Sequence, residues 1–369
     1  VSQKAPLAVL ALCGPLTAQC FAIVQYSITD LGTLGGTRSF ANAINNNGQI
    51  VGSAKTPGDA SEHAFLFDHG AMTDLGTLGG IYSEAFAINA AGQVVGSAWT
   101  ADSVHPFLST NGNMSDIGGE FGFAYGIDSA GEIVGTSTTR PAFLYSAGTM
   151  INLDTLGGIG SVAFAINDAG QIVGYSSSDG NADIHAFLYQ NGAIVDLATL
   201  GGQDSNAYAI NAVGTVVGWS DIRNSGVQHA FRYESGKMTD LGTLGGDVSE
   251  ALAINGSGQT VGYSYTDGNF TYHAFLYSTA GMTDLNDLIA AYPGWVLTSA
   301  TGINDSGQIV GYGTNPSGET HAFLLTPIPE PISLPLAALG AINMLRRRRD
   351  KRATRQWEGN CLPSRGFLE

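Results

Sequence analysis

Seven times along the chain an Ile followed by an Asn, or once by an Asp, leads into a short turn that closes on Gly. The pairs are Ile44-Asn45, Ile88-Asn89, Ile127-Asp128, Ile166-Asn167, Ile210-Asn211, Ile254-Asn255 and Ile303-Asn304, at spacings of 44, 39, 39, 44, 44 and 49 residues. A second Gly, closing a β-branched run, repeats at the same intervals as Gly52, Gly96, Gly135, Gly174, Gly218, Gly262 and Gly311. Periods of 40 to 50 residues holding several strand-like segments are the signature of propeller blades.

Within one unit four strands can be read. Ala163 to Ile166 is apolar, Asn167-Asp168-Ala169-Gly170 turns, and Gln171 to Ser176 resumes the strand pattern. Asn at the first turn position and Gly at the fourth suit a type I turn with a glycine bulge, whose last residue takes positive φ. A variable loop leads to His185 through Tyr189, a turn at Gly192, and a fourth strand from Ile194 to Leu197. The fourth-strand Asp-Leu recurs in the internal units, as Asp116-Ile117 in one and Asn152-Leu153 in another, but the last unit ends at His321 to Leu325 without it. The missing piece stands at the other end, in Tyr26 to Leu31. The chain is therefore expected to be all-β: a seven-bladed β-propeller of 28 strands, closed by pairing Tyr26 to Leu31 with His321 to Leu325, which removes the free edges of an open array. The blades are expected to be apolar on both faces, each packing between two neighbours.

Composition narrows the partners. From Ile23 to Thr326 six basic residues face 27 acidic ones, a net charge of −21. Nucleic-acid affinity rests largely on phosphate neutralisation by Lys and Arg, so nucleic acid is excluded as a partner. None of the three cysteines lies in this span, which excludes a disulfide framework.

The ends read as sorting signals. Lys4, an apolar run from Ala5 to Leu16 and a small-residue stretch form the layout of a signal peptide, with cleavage expected after Ala22. Leu16 to Cys20 also invites a lipoprotein reading, which the bulky Gln19 disfavours. At the other end Pro329-Glu330-Pro331 precedes an apolar segment from Ile332 to Leu345, then Arg346, Arg347, Arg348 and Arg349. Fourteen residues are short of the ~20 that span a bilayer as a helix. This order resembles the PEP-CTERM sorting signal of Gram-negative bacteria, which implies recognition by an exosortase, transient membrane anchoring and a cytoplasmic Arg cluster. The segment is short for that signal, it contains Pro335 and Asn343, and 17 residues follow Arg352. The expected organisation is a signal peptide over 1–22, the repeat body over 23–326, the sorting signal over 327–352 and a tail over 353–369.

The repeats are similar to the HAF repeat of bacterial extracellular proteins, carrying His-Ala-Phe at His63, His185, His229, His273 and His321, and His-Pro-Phe at His105. Arg140-Pro141-Ala142-Phe143 lacks the His. The resemblance implies export and a repeat architecture, and brings no catalytic residues.

Six of the seven histidines thus occupy one repeat position. A catalyst needs its acid or base once, whereas a blade-wise hydrogen bond is needed in every blade, so these histidines read as structural, each bonding the Asp of its own blade. Gly-Thr-Leu-Gly-Gly, as at Gly32 to Gly36, lacks the Lys-Ser/Thr of a phosphate loop and reads as a turn. Zinc-type ligand spacing and a nucleophile elbow are absent from the sequence. Acidic loop residues, among them Asp59, Glu62, Asp102, Asp179, Asn181, Asp183, Asp221, Asp267 and Asn269, could offer oxygens to Ca²⁺ but lack EF-hand spacing and read better as solvated turns. The residue after the repeated glycine is Tyr175, Trp219, Tyr263 and Tyr312 in the last four units, but Ser53, Ser97 and Thr136 in the first three. Those aromatics either stack on sugar rings or fill gaps between blades. The function expected is non-catalytic binding of an extracellular polysaccharide or a protein partner at the cell surface or matrix. A glycan-active hydrolase or lyase is the rival, requiring carboxylates that break the repeat inside one cleft, with Glu120 and Arg140 of the irregular third unit the residues to watch.

Overall fold

A computed structural model describes residues 24–329 apart from 119–121, 138–139, 182, 224–225 and 290. The described body, ending at Pro327, is all-β, with 28 strands in seven four-stranded antiparallel sheets and three short 3₁₀ turns. It is a seven-bladed propeller. The first blade consists of Ser39–Ile44, Ile50–Lys55, Glu62–Asp68 and Ala71–Asp74, paired in that order.

The last blade takes its outer strand from the other end of the chain. Tyr26–Asp30 pairs antiparallel with Thr320–Pro327, from Tyr26 opposite Pro327 to Asp30 opposite Phe323. Closure follows the expected pairing.

The first strand of each blade touches the first strands of both neighbours, so these seven strands form the inner wall of the ring. The Phe of each repeat (Phe65, Phe107, Phe143, Phe187, Phe231, Phe275, Phe323) is fully buried between blades. Burial of one such side chain is worth about 1.5–3 kcal/mol. The outermost strands depart from the expectation of two apolar faces. In Ala71–Asp74, Asn113–Asp116 and Ala193–Asp196 three of the four residues are exposed. Blades diverge with distance from the axis, so their outer edges have no neighbour to pack against.

The inner strands of the fourth, fifth and sixth blades run longer than the sequence suggests, over Gly157–Ile166, Gly201–Ile210 and Gly245–Ile254, because the Gly-Gly approach itself pairs with the second strand. The Asn-to-Gly turns form as expected: Gly48 donates its N–H to the Asn45 carbonyl at 3.0 Å and takes a φ of 81°. Each inner strand also carries a β-bulge, placing Asn42, Phe86, Tyr125, Phe164, Tyr208, Leu252 and Thr301 as the extra residue. The repeated glycine lies under that bulge. A Cβ on Gly174 would collide with the Val162 carbonyl oxygen, which is why no other residue stands there.

Candidate functional site

The channel wall has two ends of different character. At the end formed by the Asn-to-Gly turns, each Asn reaches the next blade. Asn45 donates through Nδ2 to the carbonyl of Asn89, Asn89 to Asp128, Asn167 to Asn211, Asn211 to Asn255, Asn255 to Asn304, and Asn304 back to Asn45, all at 3.0–3.2 Å. This chain of amides runs around the axis with one break, between the third and fourth blades. Asp128 has no amide to donate to the fourth blade, and its carboxyl is pushed above the usual range, chiefly by burial. Instead, Ser129 N–H is held by Asp168 at 2.9 Å.

A second set of links repeats nearer the outer strands. Ser83 accepts the N–H of Ala64 at 2.8 Å, and Ser205 that of Ala186 at 2.9 Å, stitching the His-Ala-Phe strand of one blade to the inner strand of the next. All six repeat histidines meet an Asp: His63 with Asp74, His105 with Asp116, His185 with Asp196, His229 with Asp240, His273 with Asp284 and His321 with Asp30, at 2.6–2.9 Å through Nδ1. The same carboxylates accept a backbone N–H two residues on, as Asp74 does from Gly76 at 2.7 Å. Each Asp therefore holds the third strand to the fourth and shapes the exit turn. Repeated in six of the seven blades, these pairs behave as scaffold.

At the opposite end, where the inner strands begin and the second strands finish, the repeat breaks. Across each strand pair the facing residues are Phe40 with Ser53, Glu84 with Ser97, Phe123 with Thr136, Val162 with Tyr175, Asn206 with Trp219, Glu250 with Tyr263, and Ser299 with Tyr312. A large side chain sits on the inner strand in the first three blades and on the second strand in the last four. The four aromatics singled out from the sequence are thus gathered along one arc of this mouth, each half-buried. They are neither free platforms nor sealed core.

Two of the inner-strand residues are carboxylic acids. Burial raises the Glu84 carboxyl above the ordinary Glu range, against the hydrogen bond it accepts from Asn42 Nδ2 at 2.9 Å, with Glu62 adding to the rise. Glu250 is likewise raised by burial, opposed by hydrogen bonds from the Tyr263 and Tyr208 hydroxyls. Neither acid figures among the groups that shift the other. The bulge residues fill the interior between them: Phe86, Tyr125, Phe164 and Tyr208 touch in series at ring-centroid distances of 5.0–5.2 Å. Burial there pushes the Tyr125 hydroxyl up to about 12.

The rim adds exposed rings. Tyr82 and Trp99 stand edge-to-face at 6.1 Å, 41% and 47% exposed, with Lys55 Nζ 5.5 Å from the Tyr82 centroid. Tyr272 meets Tyr265 at 5.0 Å and Tyr263 at 5.6 Å. Of these, only Tyr263 was singled out from the sequence; Glu84, Glu250, Tyr82, Trp99, Tyr265 and Tyr272 were not. Reading the repeat by column would have shown Glu84 and Glu250 in a position otherwise held by Phe, Val, Asn and Ser.

Other expected features fall elsewhere. Three of the loop residues named from the sequence are engaged locally: Asp59 accepts both the N–H and the hydroxyl of Thr37 at 2.8 and 2.7 Å, Glu62 pairs with Lys55 at 3.0 Å, and Asn269 accepts the N–H of Asp247 at 2.7 Å. Among the described residues no three His, Cys, Asp or Glu side chains converge as a metal site would require. Glu120 and the side chain of Arg140 lie outside the described residues, as do residues 1–22 and the sorting elements Glu330, Pro331 and Arg346 to Arg349; Pro329 is exposed at the edge of the described chain. No protein-family model matches the chain, and no curated protein matches it.

Proposed function

We propose that the protein is an exported, non-catalytic propeller that binds extracellular polysaccharide at the irregular mouth of its channel. The observation that carries this reading is the loss of repeat symmetry at that one end, where half-buried aromatics and two carboxyls replace a uniform column. Aromatic faces stack on the apolar faces of sugar rings, and carboxylates accept hydroxyl protons, which is the chemistry of carbohydrate recognition. The acidic body favours neutral or cationic glycans over polyanions. The signal-peptide pattern, the Pro-Glu-Pro tail and the His-Ala-Phe repeats support delivery to the cell surface or matrix through an exosortase-type enzyme.

Affinity electrophoresis and calorimetry of the full chain against neutral and amine-bearing polysaccharides test the binding. Retardation that is lost in Trp219→Ala supports it, and indifference to every polysaccharide removes it. Intact-mass analysis of protein from the cell envelope and medium tests the sorting. Loss of residues 1–22 and of everything beyond the Pro-Glu-Pro region is expected, whereas a full-length C-terminus in the membrane fraction contradicts it.

The hydrolase or lyase reading gains Glu84 and Glu250 as its acids, since both break the repeat within the channel. Paired glycosidase carboxyls work about 5–9.5 Å apart and sense each other's charge. Glu84 on the second blade and Glu250 on the sixth stand three blades apart, the widest separation in a seven-bladed ring, which favours binding. Release of new reducing ends, abolished by Glu250→Gln, would reverse that preference.

A further inference from the structure

The fifth and sixth blades meet at a cluster whose hydrogen-bond inventory does not balance. Trp219 donates its Nε1–H to the Tyr208 hydroxyl at 3.3 Å. Tyr208 and Tyr263 both commit their protons to Glu250. Asn206, facing Trp219 across the strand pair, is only 5% exposed, and its Oδ1 has no donor. Buried acceptors in native proteins almost always find a proton. With the indole and both phenol protons spent and the Asn206 amide bonded to the Tyr208 hydroxyl, Asn206 Oδ1 is left without a proton, and no Lys or Arg is among the groups that shift the carboxyl.

We propose that this cluster receives the primary ammonium of an amine-bearing sugar unit, as in a de-N-acetylated hexosamine polymer. The inference rests on the polysaccharide reading above and deepens it. An ammonium carries three donors and no acceptor, matching the surplus of acceptors at Asn206 and Glu250. The net charge of −21 over residues 23–326 draws cationic polymers to the mouth. An N-acetylated sugar offers one amide N–H in place of three charged donors and brings a carbonyl into a region already rich in acceptors.

The test compares a β-1,4-linked glucosamine hexasaccharide with its fully N-acetylated counterpart by calorimetry on the full chain, in a series from mildly acidic to neutral pH, because the sugar amine must be protonated while the buried Glu250 carboxyl, raised above the ordinary Glu range, must be ionised. The free-amine form is expected to bind at least about tenfold more tightly, close to 1.4 kcal/mol. Glu250→Gln should remove that preference, while Glu234→Gln, which deletes an exposed surface charge of the fifth blade, should leave it intact. If Glu250→Gln fails to fold, Asn206→Ala gives the same readout. Equal affinity for the two hexasaccharides overturns the amine assignment and leaves polysaccharide binding standing. Binding of neither overturns both. A preference that survives Glu250→Gln and Asn206→Ala overturns the location.

Discussion

The two ends of the channel are built from the same strands and differ in how strictly they repeat. At the turn end one residue type does one job around the ring, and six of seven Asn-to-carbonyl links are present. At the mouth the equivalent column runs through Phe, Glu, Val, Asn and Ser. The contrast separates what the architecture needs in every blade from what it needs once. A feature present in every blade stabilises the ring, whereas recognition of a ligand without sevenfold symmetry requires the blades to differ.

Substitutions at the two ends should therefore part company. The largest effect is expected from Asn304→Ala, which removes the link closing the ring onto Asn45 together with the bonds that its Oδ1 accepts from the Ser306 and Gln308 N–H groups. A loss of about 1–3 kcal/mol is expected in denaturant unfolding, with ligand affinity unchanged per folded molecule. Asp128→Asn should move the other way, since it supplies the missing amide between the third and fourth blades. A gain of about 0.5–1.5 kcal/mol is expected, and a lower melting temperature would show that the regular end does not want a seventh link. His229→Ala breaks one partly exposed scaffold pair and should cost no more than about 1 kcal/mol.

Glu84→Gln at the mouth should barely change the melting temperature in acid but should change its pH dependence. Burial raises the folded carboxyl above the ordinary Glu value of 4.5, so the folded state binds the proton more tightly than the unfolded one. The stability this proton contributes is fully present below that ordinary value and is lost as the pH rises through the folded one. Thermal melts across mildly acidic to neutral pH should fall less steeply for Glu84→Gln than for the wild type. An identical slope would place that carboxyl in solvent.

The ring itself was legible because its determinants are local and repeated. The Asn-to-Gly turn, the glycine under each bulge and the His-Asp pair eleven residues apart each declare themselves within one unit, and repetition confirms them. The displaced outer strand was legible as a missing Asp-Leu. The mouth was harder to read because its residues come from different blades and alternate strands. Glu250 gains meaning only beside Tyr208 and Tyr263, and the bulge that makes Tyr208 the extra residue of its strand has no sequence mark beyond its glycine partner. Outer-strand polarity was missed for a geometric reason, since blades that touch at the axis separate at the rim.

The closing strand also sets how the ring would answer to mechanical load. Tyr26 pairs with Pro327 and Asp30 with Phe323, so the two chain ends leave the ladder from the same side. Tension applied between those ends peels that ladder like a zipper, rupturing one pair at a time instead of shearing all five together. A propeller tethered through its C-terminal tail alone carries no such load, because the force bypasses the seam. Held at both ends, it would open first where the chain closes on itself.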